Sequence, residues 1–449
     1  MGRLFGTDGA RGIANKELTC ELAMNIGRAT AMVLINDDVK HPTFLIGKDT
    51  RRSGDMLEGA LIAGLCSVGA NVMLLGVVPT PAVAYLVGKY KADAGIMISA
   101  SHNPFEFNGI KIFNEDGYKL HDGLEEQIEA IVLDHAEPYF VPKDNEIGTV
   151  SYAQSAADDY IDHVASTVDY DLSGMELALD CSNGSSSRTA EKLFTKLGAK
   201  CHMLSDKPDG DNINRDCGST HIENLMQYVK DNKLDLGLAF DGDADRCLAV
   251  DENGELVDGD YLIAICAADL KKRGLLKKDT VVGTVMTNMG FNKFCDANGM
   301  KFVSTKVGDR YVLEEMLREG YNIGGEQSGH VIFLDYSTTG DGELTGAHLA
   351  SIVNRTKEKL STLASLMQRY PQVLINVKIS NEGKIAFYTD KEIKAEIKRV
   401  TETLGERGRI LVRASGTEPL VRVMLEGENE EEIASLAQEV ADLVKKRLG

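Results

Sequence analysis

The sequence predicts an α/β protein with several domains, and three observations support this. The chain has 449 residues, which at roughly 100–200 residues per domain corresponds to about two to four domains. Short apolar runs have the length of buried strands, and the first three are residues 43–47, 72–76 and 94–99. Between them Leu57, Leu61 and Leu65 recur at helical spacing. Apolar strands linked by amphipathic helices are typical of α/β units around a buried sheet.

The same rhythm restarts twice along the chain. The second block predicts strands over 175–180 and 234–240, a helix around 193–197 and a β-hairpin over 247–257. The third block predicts a helix over 260–272, strands over 280–286 and 302–306, and a helix over 309–319. We therefore expect three α/β blocks, although no fixed sequence period shows whether they are structural repeats.

The C-terminal residues follow a different pattern. Apolar residues alternate at Val373, Ile375, Val377 and Ile379, which predicts a strand with one buried face. Ile433, Leu436, Val440 and Leu443 predict a closing amphipathic helix. This pattern indicates a smaller α+β domain. The predicted domains are residues 1–150, 151–256, 257–370 and 371–449.

Composition excludes several classes of partner and location. The net charge is −20, so the surface repels polyphosphate backbones, and we expect neither nucleic-acid nor membrane binding. The eight cysteines form no CxxC pair and no zinc or disulfide framework. The N-terminus lacks the apolar region of a signal peptide, and no apolar run is long enough to span a bilayer. A cytoplasmic protein is the expectation.

A hydroxyl follows the predicted strand at 94–99. Ser101 and His102 precede Pro104 where the backbone must turn, and Lys111 follows shortly after. As a functional group Ser101 would be a nucleophile or phosphate carrier, with His102 and Lys111 as charge or proton partners. Taken alone, this segment is more often an ordinary serine–asparagine turn that ends a strand.

Three carboxylates alternate after the strand at 234–240. Asp241, Asp243 and Asp245 cannot easily stay close together without a hard cation. One alternative is a solvated acidic turn that binds no ion. The other is a calcium-binding EF-hand loop, because Glu252 occupies the twelfth position counted from Asp241. Arg246 stands where that loop needs glycine, and the flanks predict strands. Octahedral Mg²⁺ that shares a phosphate oxygen fits the three carboxylates better.

Further glycine-bearing segments complete the pattern. Residues 324–330 bring Glu326 close to a bound polyol, although this segment could equally be a β-turn. Residues 413–419, with Arg422 after them, offer backbone N–H groups, hydroxyls and two guanidinium groups for a phosphate. The N-terminal segment 6–12 is unspecific alone. Together the segments offer groups that can bind a phosphate, a metal ion and a polyol, and a hydroxyl that can carry a phosphoryl group. This combination predicts phosphoryl transfer on a sugar phosphate.

These motifs resemble the α-D-phosphohexomutase family. Residues 99–104 (SASHNP) are similar to its phosphoserine loop, 241–246 (DGDADR) to its metal loop, 325–330 (GEQSGH) to its sugar loop and 413–419 (RASGTEP) to its phosphate loop. The resemblance extends from Leu4 to Arg422. Residues 4–12 and 306–312, with Gln327, look most like the bacterial branch that acts on glucosamine phosphates. The resemblance implies three similar α/β domains and a C-terminal α+β domain around a central cleft.

The resemblance also implies a reaction and its residues. Glucosamine 6-phosphate and glucosamine 1-phosphate would interconvert through a 1,6-bisphosphate, on the way to UDP-N-acetylglucosamine and cell-wall precursors. Ser101 would carry the phosphoryl group, and Asp241, Asp243 and Asp245 would bind one Mg²⁺ per chain together with a phosphoserine oxygen. The implied substrate-binding residues are Glu326, Ser328, His330, Arg413, Ser415, Gly416, Thr417 and Arg422. The implied supporting residues are Thr7, Arg11, Lys306 and Arg310.

Several alternatives stay open at the level of sequence. Arg246 and Lys111 can stabilise the transferring group, but either Lys111 or His102 could be the general base. Glucosamine or glucose 1,6-bisphosphate is the expected activator. The substrate could instead be a glucose or mannose phosphate, and a non-catalytic sugar-phosphate-binding or calcium-binding protein is the rival from another class. The only partner expected is a small sugar phosphate, and a homodimer is left open.

Overall fold

The computed structural model describes residues 3–6, 8–34, 40–415 and 419–449. The chain divides into two compact units, which are described separately. One unit comprises Met1–Met286 with Lys301–Leu366, and the other comprises Thr287–Met300 with Met367–Gly449.

The first sheet of the larger unit carries the segment around Ser101. Its strands are β1 (Ala10–Ile13), β2 (Thr43–Lys48), β3 (Asn71–Val77), β4 (Ala94–Ile98), β5 (Phe107–Phe113) and β6 (Val150–Tyr152). Its helices are α1 (Cys20–Leu34), α2 (Gly54–Ser67), α3 (Thr80–Tyr90), α4 (Asp122–Asp134) and α5 (Ala156–Thr167). The strand order is β1-β5-β4-β2-β3-β6. The β1–β5 and β5–β4 pairs are antiparallel. Because β5 returns beside β4, Lys111 lies directly opposite Met97.

The second sheet carries the predicted metal loop. Its strands are β7 (Glu176–Asp180), β8 (Lys200–Leu204), β9 (Leu236–Phe240), β10 (Cys247–Val250) and β11 (Leu256–Val257), in the order β11-β10-β9-β7-β8. Its helices are α6 (Ala190–Lys196) and α7 (Glu223–Asn232). β7 is parallel to β8 and β9, whereas β9, β10 and β11 are antiparallel. The three carboxylates therefore lie in the turn between β9 and β10.

The third sheet has four strands and carries the predicted sugar loop. The helix α8 (Gly259–Lys272) precedes its strands β12 (Thr280–Thr284), β13 (Lys301–Thr305), β14 (Ile323–Gly325) and β15 (Val331–Phe333). The strand order is β13-β12-β14-β15, and only the β14–β15 pair is antiparallel. Between β12 and β13 the chain forms α9 (Met289–Ala297), which belongs to the smaller unit. The remaining helices here are α10 (Asp309–Glu319), α11 (Gly342–Thr356) and α12 (Leu360–Ala364).

The smaller unit is an antiparallel sheet with helices. Its strands are β16 (Gln372–Lys378), β17 (Gly408–Ala414) and β18 (Leu420–Gly427), in the order β16-β18-β17. The helices α13 (Asn381–Phe387), α14 (Lys391–Leu404) and α15 (Glu430–Leu448) accompany α9. Val421, Val423 and Leu425 of β18 pack in one buried cluster with Val440 and Val444 of α15. Val377 and Ile379 are buried in the same cluster, and Val373 and Ile375 pack against it. This packing explains the alternating apolar pattern that the sequence shows at these four residues.

Local sequence patterns predicted most of these elements correctly. The helix predicted over 309–319 has those bounds as α10, and the hairpin over 247–257 is confirmed by the β10–β11 pair. Leu57, Leu61 and Leu65 are fully buried in α2. The boundary predicted at 150 falls at the first residue of β6, which pairs with β3 of the first sheet. Among the described residues, no helix combines the length and apolarity needed to cross a membrane.

A half-buried histidine makes the stability of the larger unit depend on pH. His348 stacks on Phe333 and Tyr336, and its Nε2 atom lies 3.0 Å from Thr167 Oγ1. Burial lowers the pKa of His348 from 6.5 to about 4. Between these values the unfolded chain binds a proton that the folded chain excludes, so stability decreases as the pH falls.

We expect His348→Asn to reduce this pH dependence. Between pH 7 and pH 5, protonation linked to His348 should lower the free energy of unfolding of the wild type by about 2 kcal/mol. This contribution should be absent in the variant. Urea denaturation at the two pH values measures the difference. Replacing the exposed His221 by Asn is the matched control and should leave the dependence unchanged. An equal pH dependence in wild type and His348→Asn would contradict the prediction.

Candidate active site

The structure places the predicted carrier Ser101 against the predicted metal loop. Ser101 follows β4, is fully buried and has a left-handed backbone with φ of 52°. Its hydroxyl donates to Asp241 Oδ2 over 2.6 Å. His102 Nδ1 lies 3.4 Å from the same hydroxyl. Three of the predicted residues therefore meet at one point, although they come from two different sheets.

The donor set between β9 and β10 fits a divalent cation. Asp241, Asp243 and Asp245 are buried, and one oxygen of each lies within 4.8 Å of the others. Asp243 Oδ1 and Asp245 Oδ1 have no hydrogen-bond donor among the described residues. Burial and repulsion by the other two carboxylates raise the pKa of Asp241 well above its usual value. Three buried carboxylates with unused oxygens are a suitable donor set for Mg²⁺ or Ca²⁺.

Lys111 is the cation that compensates this loop. Its side chain is 1% exposed, and its ammonium group lies 2.7 Å from Asp243, 3.2 Å from Asp8 and 3.4 Å from Asp245. Although burial opposes the charged form, these carboxylates raise the pKa of Lys111 far above its usual value. The arrangement keeps Lys111 protonated.

The surroundings of His102 lower its pKa, whereas those of Lys111 raise the pKa of the lysine. Burial, followed by the nearby guanidinium groups of Arg246 and Arg11, lowers the pKa of His102 to about 4. Arg246 Nη1 lies 3.2 Å from His102 Nδ1. The imidazole is therefore neutral at pH 7, and its Nδ1 atom accepts a hydrogen bond from Arg246.

The ion pairs continue from Lys111 through Asp8 and Lys119 to Asp309, and His330 completes a ring that the sequence analysis did not predict. Lys119 Nζ lies 2.6 Å from Asp8 Oδ1 and 2.6 Å from Asp309 Oδ2. His330 lies 3.7 Å from Asp309 on one side and 3.7 Å from Asp245 on the other. We call the six residues the charge ring: Asp8, Lys111, Asp245, His330, Asp309 and Lys119. It links the first sheet, the metal loop and the third sheet.

His330 lies inside the protein. It is 3% exposed, and its Nε2 atom accepts the Gly340 N–H over 3.1 Å. Its Nδ1 atom faces Asp245. Both ring nitrogens therefore face protein groups, and Nδ1 supports a residue of the metal loop.

Glu326 lies in the turn between β14 and β15. Its Oε1 atom accepts the Gly308 N–H over 3.0 Å, which ties the turn to the start of α10. Ser328 is exposed at the tip of the same turn, and Gln327 Nε2 donates to Asp258 Oδ2 over 3.2 Å. One oxygen of Glu326 is thus held by backbone.

Arg310 and Lys306 have partners outside the Ser101 cluster. Arg310 pairs with Asp122, lies 3.8 Å from Glu125 and lies 3.2 Å from Glu314. Lys306 Nζ lies 5.5 Å from the centre of the Tyr311 ring. The structure therefore does not join either residue to Ser101 by a described contact.

Two arginines near Ser101 each have an N–H donor without an acceptor among the described residues. Arg11 pairs with Asp8, and Arg246 Nε lies 3.8 Å from Asp245 Oδ1. The Nε atoms of Arg11 and Arg246 are both buried and have no hydrogen-bond acceptor among the described residues. Buried guanidinium donors without acceptors are suitable partners for phosphoryl oxygens.

The predicted phosphate loop lies in the smaller unit. Arg413 of β17 is directly opposite Arg422 of β18 in the strand register. Burial, and then Arg422, lower the pKa of Arg413. Like charges opposite each other destabilise a sheet, so the pair is suited to an anion. Ser415 follows β17 and is buried. Thr7, Gly416 and Thr417, which were also predicted, lie outside the described residues.

The chain belongs to the phosphoglucomutase/phosphomannomutase family. Family models match in chain order over residues 2–138 (alpha/beta/alpha domain I), 158–254 (domain II), 258–370 (domain III) and 374–443 (C-terminal domain). Among relatives, the phosphoglucosamine mutase of Clostridium acetobutylicum is 57% identical over 447 residues, covering 100% of both chains. That of Acetivibrio thermocellus is 54% identical over 449 residues and also covers 100% of both chains.

Solved structures share the fold. A phosphoglucomutase/phosphomannomutase family protein from Burkholderia thailandensis has a TM-score of 0.83 at 23% identity, covering 99% of this chain and 98% of that one. The N-acetylphosphoglucosamine mutase of Aspergillus fumigatus, solved with GlcNAc-6P and magnesium, has a TM-score of 0.70 at 17% identity. This match covers 99% of this chain and 96% of that one. The four-domain α/β fold that the sequence predicted is confirmed.

We expect Asp241→Asn to abolish stabilisation by Mg²⁺ while leaving the metal-free protein intact. The raised pKa of Asp241 means that a neutral amide replaces a group that burial and repulsion already disfavour as an anion. Thermal unfolding with EDTA and with Mg²⁺ measures both effects. Tm in EDTA should stay equal or rise, and the Mg²⁺-dependent increase should disappear. The exposed Asp231→Asn is the control and should keep the increase. A full Mg²⁺ response in Asp241→Asn would contradict the assignment of the loop.

We expect Lys119→Met to destabilise the larger unit by about 3 kcal/mol, because it leaves Asp8 and Asp309 without a shared cation. Adding Asp309→Asn should recover part of this loss, and urea denaturation of the two single variants and the double variant measures the coupling. The exposed pair of Lys192 with Asp158 provides the control, and Lys192→Met should cost less than about 1 kcal/mol. Additive effects of Lys119→Met and Asp309→Asn would show that the ring is not a coupled unit.

Proposed function

We propose that the protein is a phosphoglucosamine mutase, which interconverts glucosamine 6-phosphate and glucosamine 1-phosphate. The observation that carries the proposal is the hydrogen bond from the buried Ser101 hydroxyl to Asp241 of a three-carboxylate loop. A hydroxyl in contact with a cation site is the arrangement that a phosphoryl carrier requires. The full-length relatives with this name support the choice of sugar.

In this proposal Ser101 donates its phosphoryl group to the substrate and accepts one back from a 1,6-bisphosphate. Asp241, Asp243 and Asp245 would hold one Mg²⁺ per chain together with a Ser101 phosphoryl oxygen. Mg²⁺ bound there neutralises charge on the transferring group. Glucosamine or glucose 1,6-bisphosphate would serve as the activator that phosphorylates Ser101.

The cations around Ser101 have separable roles. Lys111 contacts three carboxylates at once, so we assign it the role of a fixed positive charge beside the transferring group. Arg11 and Arg246 supply guanidinium Nε donors that have no acceptor among the described residues. His102, next to the Ser101 hydroxyl, is the remaining candidate for proton transfer.

The predicted substrate-binding residues are assigned roles within each unit separately. We assign sugar hydroxyls to Glu326 and Ser328, whose turn is anchored by the Gly308 N–H. The non-reacting phosphate is assigned to Arg413 and Arg422, with Ser415, Gly416 and Thr417 of the same loop. The two arginines are adjacent across β17 and β18, which supports this assignment.

The other predicted site residues take supporting roles. We assign His330 to the support of Asp245, and Arg310 to the contact with α4. Thr7 and Lys306 stay predictions as supporting residues. The proposal also includes domain boundaries near 150, 256 and 370, a homodimer and a cytoplasmic location. Its physiological role would be the supply of UDP-N-acetylglucosamine for cell-wall precursors.

An assay with several sugars tests the proposal. Initial rates with Mg²⁺ and glucose 1,6-bisphosphate would be compared for the 6-phosphates of glucosamine, glucose and mannose. We expect the amino sugar to be preferred and Ser101→Ala to lower turnover at least ~10³-fold, because the variant cannot carry a phosphoryl group. The exposed Ser166→Ala is the control and should keep full activity.

Each other result has a definite meaning. Higher rates with glucose or mannose 6-phosphate would keep the mechanism and change the substrate. Full activity of Ser101→Ala, or no turnover of any sugar by protein phosphorylated on Ser101, would overturn the mutase proposal.

A further inference from the structure

Ser101 has a backbone conformation that its own sequence does not favour. Its φ of 52° lies in the left-handed region, which costs a residue with a side chain about 1 kcal/mol or more. Such a conformation persists only where the surroundings fix it. The groups that hold the Ser101 backbone therefore decide where its hydroxyl points.

One arginine holds the carbonyl groups of the carrier loop. Arg51 Nη2 donates to Ser101 O over 2.8 Å and to Asn103 O over 2.8 Å. Its Nη1 atom donates to Pro104 O over 2.5 Å and to Phe107 O over 3.1 Å. The Arg51 side chain is fully buried. A planar guanidinium can serve four carbonyls at once, which an ammonium group cannot do from one position.

A buried carboxylate holds this arginine and also reaches the Ser101 N–H. Asp49 Oδ2 accepts from Arg51 Nε over 2.8 Å and from Ser99 Oγ over 2.5 Å. The Ser101 N–H in turn donates to Ser99 Oγ over 3.0 Å. Both backbone polar groups of Ser101 are thus connected to the Asp49–Arg51 pair.

The second sheet contributes an additional donor to the same carbonyls. Asn214 Nδ2 donates to Ser101 O over 2.9 Å and to Asn103 O over 3.0 Å. Its Oδ1 atom is fixed by the Ser182 hydroxyl over 2.8 Å. The loop has no room to shift toward the second sheet, because a Cβ at Gly242 would lie 2.6 Å from Ser101 O.

We propose that Asp49, Arg51 and Asn214 are positioning residues that hold Ser101 in its left-handed conformation and so keep its hydroxyl at the metal loop. We call them the carrier frame. The inference rests on the proposed function, in which Ser101 gives and receives a phosphoryl group. A different sugar oxygen takes part in each of the two transfers, whereas Ser101 takes part in both, so a fixed carrier serves both.

The frame should affect transfer rather than substrate binding. A displacement of about 1 Å at the reacting atom can cost roughly 10²-fold in rate. None of the three residues is among those assigned to the sugar hydroxyls or to the non-reacting phosphate. We therefore expect loss of a frame donor to lower kcat and to leave KM for the sugar phosphate nearly unchanged.

Asn214→Gly is the main test. Asn214 itself has a φ of 58°, so glycine accepts its backbone while removing the amide donor. The measurement is the single-turnover rate at which glucose 1,6-bisphosphate phosphorylates Ser101, followed by intact mass, together with kcat, KM and Tm. We expect a 10- to 100-fold slower phosphorylation at unchanged KM. Asn214→Asp keeps the shape but loses the donor, and it should be at least as slow.

Arg51→Lys is the second variant, because it keeps a positive charge beside Asp49 but cannot reach four carbonyls. We expect a larger loss of rate than in Asn214→Gly. Asn183→Gly is the matched control for Asn214, since Asn183 has a φ of 48° in the neighbouring loop and its side chain contacts neither Ser101 nor Asn103. The exposed Arg52→Lys is the control for Arg51. Both controls should phosphorylate Ser101 at the wild-type rate.

Three results would overturn the inference. They are a wild-type phosphorylation rate in Asn214→Gly, a loss confined to KM, and an equal loss in Asn183→Gly. Failure of the wild-type protein to gain a phosphoryl group on Ser101 would instead overturn the proposed function on which the inference rests. The wild-type measurement therefore separates the two failures.

Discussion

The Lys111 ammonium group is the positive charge around which Asp8, Asp243 and Asp245 are arranged in the larger unit. It lies on β5, which runs antiparallel beside β4, so the strand that leads to Ser101 and the cation that faces the metal loop are hydrogen-bonded neighbours. Its contacts with Asp8, Asp243 and Asp245 join the first sheet to the turn after β9. A buried carboxylate without a paired cation is strongly unfavourable, so these contacts fix the two sheets against each other.

One lysine does not neutralise the whole loop, and the remaining negative charge makes the loop suitable for a cation. Asp241 retains a raised pKa, and Asp243 and Asp245 each retain an oxygen without a donor among the described residues. A protein that only needed a stable turn could have used neutral side chains here. The charge ring holds Asp245 from one side through His330 and Lys111, so its free oxygen is directed by residues that do not themselves bind the cation.

Local sequence patterns predicted the chemistry-bearing loops, because each follows a strand end whose apolar run is visible in the sequence. The alternating carboxylates and the carrier serine were predicted as separate segments, and the structure brings Ser101 and Asp241 to 2.6 Å. Asp8, Lys119 and Asp309 were missed as a group because their pairing spans up to 190 positions and leaves no local spacing signal. Arg51 was not among the predicted site residues. An arginine is usually exposed, and nothing in a single sequence marks one as fully buried.

The arrangement also explains how a chain with a net charge of −20 can present cations to an anionic substrate. Three cations near Ser101 lie against carboxylates that they partly share. Lys111 contacts Asp8, Asp243 and Asp245. Arg11 also pairs with Asp8, and Arg246 lies beside Asp245. Carboxylates at these positions do not simply cancel the positive charge, because they fix the direction of the remaining N–H groups. Among the described residues, the Nε atoms of Arg11 and Arg246 have no acceptor, and both are buried and thus weakly screened by solvent. In the proposed function, a phosphoryl group would meet these fixed donors in a low-dielectric site, so the acidic exterior would not weaken that contact.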